Sequence, residues 1–201
     1  MREPQMIGIY TKNINGVWFG AACTDQSVFR TAFANSQHET LKKLLSSIPF
    51  NVPFQVFAES STFANTVLTS VKNVCDGKGI SQKLPLAAEH LSAYTQKMLK
   101  TASLIPIGYL SSYGAIAKAA GGSPRAVGRV LASNPFAPIV PCHRVVSSDF
   151  TLGGYGGGLT VKLEFLIREK RGHKSLREIP LGDKKLQIFP IEMVLRKLGK
   201  D

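Results

Sequence analysis

Residues 111–131 carry a punctuation that few folds can absorb. Ser111-Ser112 stands ahead of Tyr113-Gly114-Ala115-Ile116-Ala117-Lys118-Ala119-Ala120, Gly121-Gly122 breaks the pattern, and Ser123-Pro124-Arg125-Ala126-Val127-Gly128-Arg129-Val130-Leu131 restarts it. A serine hydroxyl satisfies free N–H groups at a helix start, and proline suits the first helical position because no N–H is needed there. The paired glycines give the backbone freedom that a tight turn between two helices needs. The stretch therefore predicts a helix-turn-helix, with Ser123 capping the second helix. Ala126 and Gly128 leave room for close backbone approach, while Arg125 and Arg129 supply charge. A DNA-binding pair and a plain pair in a helical bundle both satisfy these letters.

Charge bears on that choice. Lys and Arg number 25 against 13 Asp and Glu, a formal charge of +12, so the surface attracts polyanions and nucleic acid is the leading partner class. Solubility with a basic tail is the plainer reading of the same balance. With 44% hydrophobic residues in 201, the chain can build one medium core or two small ones. It has no run of roughly 18 to 20 apolar residues, the length of a membrane span. The start Met1-Arg2-Glu3-Pro4-Gln5 also lacks the apolar stretch of a signal peptide. A soluble intracellular protein is expected, cytoplasmic in a prokaryote or nuclear in a eukaryote, with no membrane partner.

Ahead of the helix pair the pattern is that of strands. Segments 6–11, 17–23 and 27–33 are rich in β-branched and aromatic residues, with Asn13-Ile14-Asn15-Gly16 as a turn between the first two. Ser36 with Glu39 behind it predicts a capped helix through about Ser46, and Ser60 or Ser61 opens a second that runs to Asp76-Gly77. Residues 77–85, with Gly77, Gly79, Ser81 and Pro85, read as a linker. Helical spacing resumes from Glu89, where Leu91, Tyr94, Met98 and Ala102 share a face, and stops before Pro106-Ile107-Gly108. Beyond Gly153-Gly154-Tyr155-Gly156-Gly157-Gly158, a further amphipathic helix runs from Leu159 to about Arg171, with Gly172 as its stop. The expected fold class is α/β (α+β). A small N-terminal sheet-plus-helix domain occupies 1–85, a mainly helical domain with the helix-turn-helix 86–172, and a basic C-terminal extension 173–201. The extension's apolar patch at 186–195 leaves three roles open: packing, binding DNA backbone, or neither.

Cys23, Cys75 and Cys142 are too few and too scattered for a disulfide scaffold, and none forms a CxxC metal pair. Cys75 shares a helical apolar face with Phe63, Val67, Leu68, Val71 and Val74, and Cys23 ends the apolar segment 17–22, so both read as packed thiols. Cys142 differs. It adjoins His143 in Asn134-Pro135-Phe136-Ala137-Pro138-Ile139-Val140-Pro141-Cys142-His143-Arg144-Val145-Val146, where the prolines stiffen the approach and disfavour a helix. A free thiol with a pKa near ~8.5 is only slightly ionised at neutral pH, and a neighbouring imidazole base raises the reactive fraction. Two adjacent residues fit an activated nucleophile, and equally a buried structural cysteine beside a histidine.

Order and spacing add a resemblance. Pro141-Cys142-His143-Arg144-Val145 resembles the active-site signature of the 6-O-alkylguanine-DNA alkyltransferase (methylated-DNA-protein-cysteine methyltransferase) family. Agreement extends over about 94–171. Tyr94-Thr95 with Met98-Leu99 is similar to the family's domain start, and Ile105-Pro106-Ile107-Gly108 with Ser112-Tyr113 to the entry of its first DNA-binding helix. Ser123-Pro124-Arg125-Ala126-Val127-Gly128 resembles its recognition helix and Asn134-Pro135 its asparagine hinge. Gly154-Tyr155-Gly156-Gly157-Gly158-Leu159 with Lys162 resembles its substrate loop and last helix.

The resemblance implies DNA repair in a single turnover: irreversible transfer of the alkyl group of 6-O-alkylguanine, and of 4-O-alkylthymine, to Cys142 after the base is flipped out. By the same resemblance His143 deprotonates Cys142 through a water, Glu169 holds the His143 tautomer, and Asn134 braces the turn. Tyr113 donates to the leaving base and helps rotate its phosphate, while Arg125 fills the vacated stack. Ala126 and Gly128 let the helix enter the minor groove. Tyr155, Gly156, Val145 and Pro138 line the base pocket, and Gly156 contributes only its N–H, because some relatives carry serine there. The glycines at 156–158 are expected to permit positive φ. The implied partner is double-stranded DNA, met by a monomer, with no cofactor and no metal, although some family members bind structural zinc in the N-terminal region. Residues 1 to about 85 and those beyond Gly172 match no family motif. Two competing classes remain. One is a non-catalytic alkyltransferase-like lesion binder, which lacks the acceptor cysteine. The other is a helix-turn-helix transcription regulator, which has no need of Cys142, His143 and Glu169.

Overall fold

A computed structural model describes residues 6–46, 48 and 52–200, so the start that bears on a signal peptide lies outside the described residues. The chain groups into two units. One gathers residues up to Cys75 with Gly79–His90 and Pro135–Ile139, and the other holds Asp76–Lys78, Leu91–Asn134 and the chain from Val140 onward.

In the first unit, β1 (Ile7–Ile14), β2 (Val17–Cys23) and β3 (Val28–Ala34) form an antiparallel meander. The short β4 (Phe54–Val56), absent from the sequence reading, joins β1 in parallel to give the order β3-β2-β1-β4. Ile14 pairs with Val17 across Asn15 and Gly16, whose φ values are 54° and 83°. Both are left-handed, as a tight two-residue hairpin turn requires. Helix α1 (Gln37–Leu45) starts at Ser36, whose hydroxyl accepts from the Glu39 N–H at 3.2 Å. Helix α2 (Thr62–Cys75) starts at Ser61, which accepts from the Ala64 N–H at 3.1 Å. Ile7, Ile9, Ala22, Ala32 and Leu44 form the core between sheet and α1. An added Cβ at Gly20 would stand 2.6 Å from Thr40 Cγ2, so the bare backbone of β2 is what lets α1 lie so close. The end of the expected linker 77–85 is tied to the sheet. The Val28 N–H donates to Pro85 O at 2.9 Å and the Ala87 N–H to Val28 O at 2.8 Å, because the edge of β3 still has backbone groups to satisfy.

The first helix of the second unit is α3 (Ala93–Ala102), capped by Ser92. Strand β5 (Tyr109–Ser112) runs directly into α4 (Tyr113–Ala120), and α5 (Pro124–Ala132) follows. The helix-turn-helix is built as its letters require. Ser112 Oγ accepts from the Ala115 N–H at 3.0 Å, Ser123 Oγ from the Ala126 N–H at 3.3 Å, and Gly121 and Gly122 turn the chain at φ 95° and 94°. A 3-10 turn, Cys142–Arg144, leads into β6 (Val145–Val146), and α6 (Leu159–Glu169) ends two residues before Arg171.

The extension is structured. Strands β7 (Arg177–Leu181) and β8 (Lys184–Pro190) make a hairpin, α7 (Ile191–Lys197) follows, and β8 pairs with β5 in a second sheet of order β6-β5-β8-β7. Of the three roles left open, packing is what the fold displays. Phe189, Ile191, Val194 and Leu195 share a core with Leu110, Val146 and Leu166, and the Glu192 carboxylate accepts the Arg171 and Gly172 N–H groups at 3.2 and 2.5 Å. The segment thus closes the end of α6 and belongs to the second unit. Ile191→Ala is expected to lower unfolding free energy by ~2–5 kcal/mol in a denaturant titration. A loss below ~0.5 kcal/mol, the range of surface changes, would mean that the tail does not share the core. Among the described residues no helix is long and apolar enough to cross a membrane.

Candidate active site

The proline-fixed approach delivers Cys142 into the 3-10 turn, where the Cys142 N–H bonds to Val140 O at 2.8 Å and the Arg144 N–H to Pro141 O at 2.9 Å. Asn134, just past the end of α5, donates from Nδ2 to Val140 O at 2.8 Å, so the recognition helix and the cysteine turn share one brace. The Cys142 thiol is 6% exposed. Burial pushes its pKa up, and a hydrogen bond from the Asn134 side chain and the positive charge of Lys162 oppose the rise. At neutral pH the proton rests on sulfur, in a setting ready to stabilise its loss.

His143 is fully buried and stacks on Phe165 with ring centroids 4.6 Å apart. Its Nε2 lies 3.1 Å from Glu169 Oε1. An ionised carboxylate only accepts, so Nε2 carries the hydrogen and Nδ1 keeps its lone pair. Nδ1 is buried and has no hydrogen-bond partner among the described residues. Burial lowers the imidazole pKa and Glu169 pulls it back up, which leaves a neutral ring with one free basic nitrogen. Burial alone would raise Glu169, but hydrogen bonds from His143 and Arg144 outweigh it and hold the carboxyl at about 2.

Arg144, quoted in the motif but given no role by sequence reasoning, makes a fork onto that carboxylate. Nε meets Oε2 and Nη2 meets Oε1, each at 2.7 Å, and Nη1 donates to Ile105 O at 2.7 Å. The available signal was an arginine embedded in an apolar run, which needs a buried carboxylate partner. Lys162, on α6, is likewise fully buried.

A cavity of about 600 Å³ opens on Cys142 and is lined by Tyr113, Arg125, Gly128, Tyr155 and Gly156 among others. Arg125 is exposed at its rim and Ala126 is half-buried on the same helix. An added Cβ at Gly128 would meet nothing closer than the Tyr113 ring at 3.9 Å, so packing within the protein does not require glycine there. The Tyr113 hydroxyl donates to Gly154 O at 3.2 Å, and burial raises its pKa, which keeps it a protonated donor. Val145 is buried in the sheet, paired with Ser111, and Pro138 is buried in the segment that clusters with the first unit, where Thr31 Oγ1 binds Ala137 O at 2.8 Å. Val145 is not among the residues that line the cavity. Of Gly156, Gly157 and Gly158, Gly158 alone has positive φ, 91°, where α6 begins. A larger cavity of about 720 Å³, beside α4 and β8, contains no thiol or imidazole. Among the described residues no group of His, Cys, Asp and Glu is placed to hold a metal ion.

Comparison with known proteins places this geometry in context. Residues 93–171 match the family model described as "6-O-methylguanine DNA methyltransferase, DNA binding domain". A methylated-DNA–protein-cysteine methyltransferase of Pyrobaculum aerophilum is 54% identical over 65 residues, 32% of this chain and 44% of that protein. The chain spans about half the length of the curated relatives it matches. The solved O6-methylguanine-DNA methyltransferase of Pyrococcus kodakaraensis aligns with a TM-score of 0.61 at 26% identity, over 82% of this chain and 99% of that one. Mycobacterium tuberculosis OGT in complex with DNA aligns with a TM-score of 0.62 at 24% identity, over 81% and 92%, a likeness of fold.

Proposed function

We propose that this chain, which carries over residues 93–171 the DNA-binding domain of the 6-O-methylguanine DNA methyltransferase family, repairs duplex DNA by taking the alkyl group of 6-O-alkylguanine onto Cys142, once and irreversibly. The observation that carries this reading is the lining of one cavity by a thiol, a tyrosine and the recognition-helix arginine, Cys142, Tyr113 and Arg125. Behind the thiol, the neighbouring His143 is neutral and held by Glu169.

In this reading the Cys142 proton passes to His143 Nδ1 through a water, and Glu169 steadies the imidazolium that forms. The thiolate sulfur attacks the alkyl carbon, an S–C bond forms, and the C–O bond breaks with its electron pair going to the base. Tyr113 supplies a proton to that base. The thioether has no group to cleave it, so the protein acts once. The same displacement applies to 4-O-alkylthymine. The target atom lies inside the helix, so the nucleotide swings out into the cavity beside Tyr155 and the Gly156 N–H, with Arg125 filling the gap in the stack. Ala126 and Gly128 present the thin helix surface that a minor groove admits. The partner is duplex DNA met by a monomer, in the cytoplasm of a prokaryote or the nucleus of a eukaryote, and phosphate contacts make affinity fall with salt.

Stoichiometric incubation with duplex containing 6-O-methylguanine, followed by mass spectrometry of intact protein and peptides, tests the reading. The expected result is one added methyl on the peptide holding Cys142 and no second turnover. Tight lesion binding without mass gain would replace it with a lesion-sensing role. Arg125→Ala is expected to slow transfer from duplex by roughly 10- to 100-fold while leaving transfer from the free alkylated base near wild type. Equal losses on both substrates would remove the stack-filling role.

A further inference from the structure

Lys162 is a charged side chain with no exposed surface, and a buried ammonium is costly unless all its protons and its charge are answered. Its three protons are answered by main-chain oxygens: Val145 O at 2.6 Å, Leu152 O at 2.6 Å and Gly154 O at 3.3 Å. These acceptors lie on two separate pieces of chain. Val145 follows the Cys142–Arg144 turn, whereas Leu152 and Gly154 belong to the loop that forms the cavity wall opposite α5. Gly154 O also accepts the Tyr113 hydroxyl, and the Lys162 ammonium stands 5.9 Å from the centroid of the Tyr113 ring. No carboxylate is among these partners, so the hydrogen bonds leave the positive charge unmatched.

We infer that Lys162 is a positioning residue that fastens the loop 147–158 to the strand leaving the nucleophile, and that the counter-charge it awaits is the Cys142 thiolate. The inference rests on the alkyl-transfer reading for its purpose, but the clamp itself is independent of substrate. The groups that feel the Lys162 charge are Cys142, His143 and, through its ring, Tyr113. Burial lowers the ammonium to about 8 and the Cys142 charge raises it, so at neutral pH the lysine is largely protonated and favours the thiolate. A single side chain thereby links the order of the base-binding wall to the readiness of the sulfur.

The test uses the full chain carrying Lys162→Met, which keeps length and removes charge and donors. Iodoacetamide labelling of Cys142 against pH reads the thiol without needing the loop, and amide exchange over 147–158 reads the loop without needing the thiol. The expected results are a labelling profile moved to higher pH, faster exchange confined to the loop, and a half-saturating concentration of free 6-O-alkylguanine raised roughly tenfold or more. In Lys162→Ala, added ethylammonium should return the labelling profile toward wild type, which supplies the readout if the methionine variant fails to fold. A folded variant with unchanged labelling profile and loop exchange, or an alanine variant that ethylammonium does not move, overturns the inference. Failure of alkyl transfer in the wild type would leave both readouts standing and count against the proposed function alone.

Discussion

Cys142→Ala is expected to abolish alkyl transfer completely while leaving affinity for lesion-bearing duplex near wild type. The substitution removes only the sulfur of a residue that is 6% exposed, and the backbone bond from the residue 142 N–H to Val140 O does not depend on the side chain. Its structural cost should therefore be on the order of 1 kcal/mol, far below what unfolds a domain. No other thiol can take over. Cys23 and Cys75 are buried, and burial followed by the charge of Asp25 pushes Cys23 up to about 12, so its thiolate is scarce at neutral pH. Intact mass after incubation with excess methylated duplex decides the matter. Residual methylation in the variant would move the acceptor to another residue. Wild-type protein that binds the lesion but gains no mass would leave the non-catalytic lesion binder as the surviving reading. A transcription regulator would instead bind a defined operator and be indifferent to the lesion.

Much of this site was legible because its signals are local. Ser123-Pro124 states a helix start in two letters, and the cap forms as written. The proline ladder before Cys142 works against an α-helix, and the chain makes only the three-residue 3-10 helix that presents the thiol. Partners joined across long sequence distances were not legible from pattern. The Arg144 fork spans 25 residues to Glu169, and nothing in a helical period separates Glu169, 0% exposed, from Glu164, which pairs with Arg168 at the surface. Lys162 misleads in the same way, since a lysine on an amphipathic helix usually marks the wet face. The tail reads as a basic extension because Lys184 and Lys185 stand ahead of Leu186, Gln187 and Ile188, which alternate buried, exposed, buried. That alternation is the signature of a strand with one buried side, and only its pairing with β5 reveals which side. Val145 and Pro138 are placed in the pocket by the family resemblance alone, and no local pattern in the sequence bears on the pocket wall. Both are buried in the fold, Val145 within the strand that pairs with β5.

Glu169→Gln tests the buried network, and its expected effects fall on both stability and rate. The amide preserves shape but leaves the Arg144 guanidinium, its side chain 10% exposed, without a counter-charge. Removing one partner of a buried pair costs ~3–5 kcal/mol. The pH dependence gives the sign. Glu169 titrates at about 2 in the folded protein against an ordinary 4.5, a depressed carboxyl. Its stabilisation is therefore fully present above the unfolded value and is lost as pH falls through the folded one. The stability gap between wild type and variant should be constant above about pH 5 and close progressively below it, as followed by denaturant melts across acid pH. A gap independent of pH would show that the carboxylate charge is not what holds Arg144. The rate argument runs through His143. Burial already lowers this imidazole, and Glu169 is the group that restores its basicity. Without the carboxylate, Nδ1 is a weaker base toward Cys142, and single-turnover transfer at neutral pH should slow on the order of 100-fold, measured at a temperature where the variant is folded. The loss should shrink as pH rises and the thiol ionises without help. A loss that stays the same at every pH would indicate that Glu169 acts by holding shape alone, and His143 would then have no part in taking the proton.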